Sequence, residues 1–320
     1  MKKNEIKIDA DNLQTIVAVA HAYYEQNATQ QEIATELGIS RSQISRYLDK
    51  ARETGIVKIV ITQPDARNEK IESMLKSKYK HLKDVIIVPF SSSDVSESLL
   101  GRACANYIMG ILQDGNFLGI GTGRGVRDTV KWFTPSRKRI SIVQAMGSTG
   151  YYAQGVDYTL LANEAASNLK APLYIINAPT ILWRNTGTVE NLLKANPKLT
   201  KNVNLSRNCN VYLIGIGAIE NDDYYVKGGL LDQKEIDEVH KSGAIGNICG
   251  SYFYPNGKTC HTQFEDRIIG VRRSDIQKAD YSVLIGTGIQ KVNAINAALI
   301  GEFVNVLATD ENTADLLLKL

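Results

Sequence analysis

The chain has 320 residues, 43% hydrophobic and 22% charged, with 37 Lys and Arg against 34 Asp and Glu for a net charge of +3. That length suits about two domains at ~100–200 residues each, and the balance is that of an ordinary globular protein, too weakly basic to indicate nucleic acid by itself. Cys104, Cys209, Cys249 and Cys260 lie far apart without C-x-x-C spacing. Buried free thiols are therefore expected rather than disulfides or a metal site. No apolar run approaches the ~18 residues of a membrane span, and the charges from Glu5 to Asp11 break any leader behind Lys2-Lys3, so a cytoplasmic location is expected.

In chain order, Leu13, Ile16, Val17, Ala20 and Tyr24 recur at helical spacing and predict a first helix over 12–26. From Thr29 to Arg52 the sequence reads as two short helices around a turn at Gly38. Thr29 precedes Glu32 by three residues and Ser40 precedes Gln43 by three, so each helix opens with a capping box. Gly38 supplies the positive φ that ends the first helix. Ile33, Ala34 and Leu37 make one apolar stripe and Ile44, Leu48 and Ala51 the other, with Ala34 small enough for a close crossing. Arg41, Ser42, Gln43, Ser45, Arg46 and Lys50 are left outward on the second helix. Arg suits guanine, Gln suits adenine, and the pattern is that of a helix-turn-helix whose second helix enters the major groove. Ser40 and, on the first helix, Thr29 and Gln30 complete the expected DNA-contact set. Residues 1–62 carry eight basic and eight acidic side chains, yet Gly38–Lys58 carries five basic against Asp49 and Glu53, so positive charge is placed rather than abundant. After Thr54-Gly55, residues 56–62 read as a strand, the place for a wing in which Lys58 could reach phosphate. Gln63-Pro64-Asp65 then marks the boundary between a winged helix-turn-helix domain (1–63) and the remainder (64–320).

Beyond it, an amphipathic helix over 68–83 leads into alternating elements. Strands are predicted at 84–90, 117–123, 140–147, 172–179, 211–217, 281–288 and 303–310. Helices are predicted over 94–113, from about Gly125, near 159–169 and 233–240, over 290–300 and on Leu316–Leu318. Short apolar strands alternating with helices mean a large, Rossmann-like, mostly parallel α/β domain.

In such sheets ligands bind beyond the carboxyl ends of the strands. Four strands end in small turns: Gly119–Gly125, Gly147–Gly150, Gly215–Gly217 and Gly286–Gly288. The first and last run into helices, whose N-termini favour anions. Gly121, Thr122, Gly123, Arg124 and Gly125, with Thr287, Gly288 and Lys291, would make a phosphate cradle. Glycines that merely relieve packing are the alternative. A dinucleotide fingerprint fails because position 124 is Arg, and a Walker loop fails because position 252 is Tyr. A small phosphorylated molecule fits better, with no cofactor and no metal implied. Between 243 and 267, Asn247 and Asp266 could hold sugar hydroxyls, although Glu265-Asp266-Arg267 also reads as a solvated run. Cys260 and His261 are adjacent and point apart in a strand, so a nucleophile pair carries little weight.

The order of TQQEIATELGISRSQISRYL, LGIGTGRG (118–125), VYLIGIGAI (211–219), GAIGNICGSYFYPNGK (243–258), RIIGVRRSDIQKADYSVLIGTGIQKVNAINAAL (267–299) and NVLATDENTADLLL (305–318) resembles the SorC-type family of bacterial sugar-responsive transcriptional regulators over nearly the whole chain. The resemblance implies an effector domain of the fold shared with glucosamine-phosphate deaminases and ribose-phosphate isomerases. It also implies a homo-oligomer, dimer or tetramer, whose operator contacts respond to a phosphorylated sugar or polyol. Carried over by position, the family's contacts fall on Gly121–Gly125, Gly147, Ser148, Asn247 and Lys291. Relatives commonly hold an acid at position 247 and Gly-Gly where this chain has Gly286-Thr287. No catalytic residue is expected. The competing reading is a sugar-phosphate isomerase or deaminase fused to a DNA-binding domain, which needs a general base and which Asn247 counts against.

Overall fold

The structure, a computed structural model, describes residues 10–26, 28–57, 68–90, 93–150, 156–219 and 224–320. Its internal contacts divide the chain into two compact units, Met1–Gln63 and Pro64–Leu320.

The first unit holds α1 (Ala10–Tyr24), α2 (Gln30–Leu37) and α3 (Arg41–Glu53). Both capping boxes form. The Glu32 N–H donates to Thr29 Oγ1 (3.2 Å) while the Thr29 N–H donates to Glu32 Oε2 (2.7 Å). The Gln43 N–H donates to Ser40 Oγ (3.2 Å) while the Ser40 N–H donates to Gln43 Oε1 (3.1 Å). Gly38 has a φ of 65°, and the Ile39 N–H closes the turn on the Ala34 carbonyl (3.1 Å). Val19, Ile33, Ala34, Ile44 and Leu48 pack together, with Ile16, Ala20 and Ala51 in a neighbouring cluster.

Three sequence assignments are corrected here. Leu13 and Val17 are 42% and 46% exposed, while Val19, absent from the predicted stripe, is fully buried. Residues 16–20 are almost all apolar, so the period is legible but its phase is not; α3 selects Ile16, Val19 and Ala20. Leu37 is 43% exposed because it sits in the last turn of α2, where the chain leaves for the Gly38 turn. Ile56 and Val57 are partly buried against the Ile16 cluster. The rest of the expected wing, including Lys58, and the Gln63-Pro64-Asp65 break lie outside the described residues.

The second unit begins with α4 (Glu69–Lys78), β1 (Asp84–Val88), α5 (Ser93–Ile111), β2 (Phe117–Ile120), α6 (Arg124–Val130) and β3 (Ser141–Gln144). It continues with α7 (Tyr158–Leu169), β4 (Leu173–Tyr174), α8 (Val189–Ala195), α9 (Pro197–Ser206), β5 (Val211–Gly215) and β6 (Gly217–Ala218). Next come α10 (Tyr224–Lys227), α11 (Gln233–Lys241), β7 (Gly246–Ile248), β8 (Ser251–Phe253), β9 (Thr259–Cys260) and α12 (Arg273–Lys278). The last elements are β10 (Tyr281–Ile285), α13 (Val292–Ile300), β11 (Val306–Asp310) and α14 (Glu311–Lys319).

Seven strands pair in the order β1-β11-β10-β5-β2-β3-β4, every pair parallel. Alternate side chains feed two cores. Val85, Ile87, Tyr212, Ile214, Leu284 and Leu307 enter one; Ile86, Val88, Leu213, Val283, Ile285 and Ala308 enter the other. Burial on both faces explains why these strands read as continuous apolar runs.

Six of the seven predicted strands overrun the observed ones at their carboxyl ends, while the one predicted at 303–310 begins early, the observed strand being Val306–Asp310. After β3, Met146 and Ser148 bridge instead to Gly270 and Pro179. After β5, Ile216 passes the chain into β6, which opens a small antiparallel sheet of order β6-β7-β8-β9. That second sheet was not anticipated. Its strands span two or three residues, too few to display a period.

Candidate functional site

On the helix-turn-helix, Arg41, Ser42, Gln43 and Arg46 are exposed along one stretch of α3, while Ser45 and Lys50 are half-buried. The capping box changes what Gln43 can do. Its Oε1 accepts from both the N–H and the hydroxyl of Ser40 (3.1 and 3.0 Å), so the paired donor and acceptor needed for bidentate adenine recognition are not both available while the box is closed. Ser40 Oγ also lies 2.9 Å from Ser42 Oγ. Thr29 is likewise a cap, since its N–H and hydroxyl both donate to Glu32 (2.7 and 2.8 Å). Those bonds hold the Glu32 carboxyl below its usual range, the backbone donor contributing most. Gln30 is half-buried beside it. Arg52 pairs with Asp49 on the same helix, which among the described residues leaves Arg41 and Arg46 as the guanidiniums of α3 without an ion pair.

In the large unit, the carboxyl edge of the parallel sheet carries the glycine turns. Packing accounts for part of them. The Gly121 N–H donates to the Leu213 carbonyl (2.8 Å), and a Cβ on Gly215 would lie 2.5 Å from the Thr122 carbonyl oxygen. A Cβ on Gly125 would lie 2.9 Å from Ile285 Cγ1. The turn thus rests backbone to backbone on the end of β5 and against the Ile285 side chain at the end of β10. Gly123 and Gly288 differ: with φ of 128° and 104°, they occupy the N-cap positions of α6 and of the 3₁₀ turn Ile289–Lys291. Neither conformation is comfortable for a residue with a Cβ.

Around these turns the polar groups are unbalanced. Among the described residues, Thr122 Oγ1 is buried without a hydrogen-bond partner. Lys291 is half-buried, and its pKa is pulled down first by burial and then by the positive charge of Arg124, with Glu97 opposing. Arg124 Nη1 stands 3.9 Å from Glu97 Oε1, beyond hydrogen-bonding distance. Two cations therefore stand near one another without a full complement of negative charge, and the orphaned hydroxyl lies two residues before Arg124 in the same turn. A groove of about 610 Å³ alongside is lined by Glu97, Arg124, Thr287, Gly288, Asp310 and Thr313, among others.

Other predicted residues have other surroundings. Asn247 is buried on β7 opposite Gly217, and a Cβ on that glycine would lie 2.7 Å from its Nδ2. It sits beside the carboxyl end of β5, where Ile216 carries that strand into β6. Gly147 gives its N–H to the Ile269 carbonyl (3.0 Å), and a Cβ there would strike the Pro179 and Ala178 carbonyls at 2.4 and 2.5 Å. Ser148 donates its N–H to the Ala178 carbonyl (2.9 Å) and its hydroxyl to Asp157 Oδ2 (3.1 Å). Both residues are committed to the fold in this arrangement. Asp266 is exposed in the 3₁₀ turn Glu265–Arg267. Its neighbours are engaged elsewhere: Glu265 with His261 (2.9 Å), Arg267 with buried Glu235 and the Leu182 carbonyl. His261 is exposed while Cys260 is buried at the end of β9.

Sequence reasoning missed Glu97, Asp310 and Thr313. Gly288 donates its N–H to Thr313 Oγ1 (3.0 Å), so this amide is spent on α14 rather than free for an anion. The Thr313 N–H is in turn capped by Asp310 Oδ1 (2.7 Å). Asp310 closes a strand at the same sheet edge, so the rule that pointed to the glycine turns covered it too. Glu97 lies inside a helix and carried no such signal. Among the described residues no cluster of three or more His, Cys, Asp or Glu is arranged for a metal, and no helix is long and apolar enough to cross a membrane.

Residues 64–319 match the Sugar-bind family, a sugar-binding domain, and residues 18–54 match region 4 of Sigma-70. The chain belongs to the family of SorC-type transcriptional regulators. It is 30% identical to the sorbitol operon regulator of Klebsiella pneumoniae, over 97% of this chain and 99% of that one. It is 27% identical to the deoxyribonucleoside regulator of Bacillus subtilis, over 96% and 98%. The crystal structure of full-length SorC from Klebsiella pneumoniae superposes with a TM-score of 0.72 at 29% identity, covering 97% of this chain and all of that one. This regulator accordingly combines a helix-turn-helix with a sugar-binding domain on a parallel sheet.

Proposed function

We propose that this regulator binds operator DNA through residues 1–63 and a phosphorylated sugar or polyol through residues 64–320, and that the ester sets its grip on the operator. The observation that carries the effector half is the nearness of Lys291 and Arg124 at the carboxyl edge of the sheet, with the unpartnered Thr122 hydroxyl in the same glycine turn as Arg124. An anion placed there engages both cations, and charge-assisted hydrogen bonds to phosphate are among the strongest available. Asn247, beside the same edge, offers both a donor and an acceptor to a sugar hydroxyl. Arg41 and Arg46 are the base or phosphate contacts on α3, with Ser42, Ser45 and Lys50 around them. Gln43, Ser40 and Thr29 act chiefly by holding the two helix starts.

We place the protein in the cytoplasm as a homo-oligomer, because two recognition helices ~34 Å apart are needed to read two half-sites on one face of a duplex. An effector shifts DNA affinity only through differential affinity for two arrangements of that assembly. Binding without turnover fits the site better than isomerase or deaminase chemistry. A carboxamide stands at position 247, Asp266 is exposed in another turn, and exposed His261 is engaged with Glu265. The deciding experiment titrates fluorescent operator DNA against the protein with a panel of sugar phosphates. Lys291→Ala is expected to bind DNA as the parent does and to lose the effector response. Consumption of any of these esters without DNA would establish the enzyme reading instead.

A further inference from the structure

Glu97 has no task in the reading above, yet its carboxylate faces the cations of the proposed anion site. It projects from α5 and approaches Arg124 Nη1 at 3.9 Å, too far for a hydrogen bond and close enough for direct attraction. The same groove wall brings together Glu97, Arg124, Thr287 and Gly288, with Lys291 three residues further along the chain. Lys291 and Arg127 both feel the Glu97 charge, so it lies among three cations rather than against one. Arg127 is already satisfied by Asp128 (3.0 Å), which leaves Arg124 and Lys291 as the cations that Glu97 balances. With side chains 50% and 31% exposed, Arg124 and Glu97 are free to rearrange.

We propose that Glu97 is a tethered competitor for the anion site: it partly neutralises Arg124 and Lys291 when the site is empty and must give way when a phosphate group enters. This rests on the proposed phosphate site and adds its regulation. A carboxylate in that position opposes a phosphate dianion twice, by repelling it and by engaging its guanidinium partner. It therefore raises the effector concentration needed for a response and weakens, without abolishing, the binding of free inorganic phosphate, which brings no sugar hydroxyl to donate to the displaced carboxylate.

The test measures inorganic phosphate binding to the full-length protein by isothermal titration calorimetry at fixed low ionic strength, for the parent, Glu97→Gln and Lys291→Ala. Glu97→Gln keeps size and hydrogen-bonding capacity and removes only the charge. At a separation of a few ångströms in partly screened surroundings, that charge changes affinity on the order of 10-fold. Glu97→Gln is expected to bind phosphate about 10-fold tighter than the parent, and Lys291→Ala to lose binding. If Lys291→Ala abolishes binding while Glu97→Gln binds equally or more weakly, Glu97 merely positions Arg124 and the competitor role is overturned with the site intact. If Lys291→Ala binds phosphate as the parent does, the anion site itself is wrong. Absence of binding by Glu97→Gln at any phosphate concentration, with an unchanged circular dichroism spectrum, also overturns the proposal.

Discussion

Lys291 separates a residue kept for its ligand from one kept for the fold. Its amine is half-buried and repelled by Arg124, with Glu97 offsetting only part of this, so its charged form is disfavoured in the folded state. Full burial of an ion costs several kcal/mol, and partial burial at this edge should cost on the order of 1–2 kcal/mol. Replacing Lys291 with Met retains most of the apolar stem and removes that cost. The variant is therefore expected to be more stable than the parent in phosphate-free buffer, with a Tm higher by about 2–4 °C for each kcal/mol recovered. Because the folded pKa lies below that of the unfolded chain, the penalty is complete at pH values below the folded pKa. It fades as pH rises toward the unfolded value of about 10.4. The difference in Tm between the two proteins should shrink over that alkaline interval and be largest near neutrality. Adding an effector should reverse the ranking, since a ligand that binds only the native state stabilises the parent and not the variant. Differential scanning calorimetry across pH, with and without ligand, makes the comparison. A Tm for Lys291→Met below that of the parent in the absence of ligand would refute the reasoning and make Lys291 a structural residue.

Three further expectations concern other parts of the molecule. Arg41→Ala should lose about 1–3 kcal/mol of discrimination between operator and scrambled duplex, whereas Gln43→Ala should weaken binding to both alike through loss of its cap, worth about 1 kcal/mol; competition titrations distinguish the two, and altered base preference in Gln43→Ala would show that the box opens on DNA. Glu235→Ala should destabilise the large unit by about 3–5 kcal/mol, because buried Glu235 anchors Arg184 (3.0 Å) and Arg267, and chemical denaturation would read the loss directly. Gly147→Ala should cost about 1–3 kcal/mol by overpacking, since the added carbon meets backbone oxygens at 2.4 and 2.5 Å that have no room to yield; an unchanged midpoint of unfolding would mean the 147–180 segment relaxes freely.

Much of this architecture is legible along the chain because its signals are local. Capping boxes at Thr29 and Ser40 depend on residues three apart, and both close as read. Strands β1, β2, β5, β10 and β11 are apolar runs because both faces are covered. What escaped notice is set by contacts between distant segments. The phase of α1 depends on α3, and the ends of β3 and β5 depend on Gly270 and on the small antiparallel sheet. The anion site divides the same way. Thr122, Arg124 and Lys291 are marked by glycine turns beside them, but Glu97 reaches the cluster from the middle of a helix pattern. The double duty assigned to Gln43, as cap and as base reader, could be seen as a conflict only when its Oε1 was found already occupied.

The seam between the Thr122 carbonyl and Gly215 leaves no slack for either loop to slide over the other. A rim built from interlocked main chain behaves as a plate: it can be tilted whole, but it does not soften in place. Diversification of ligand preference on such a plate has to come from the movable side chains standing on it, while replacement of its small residues should abolish folding and response together.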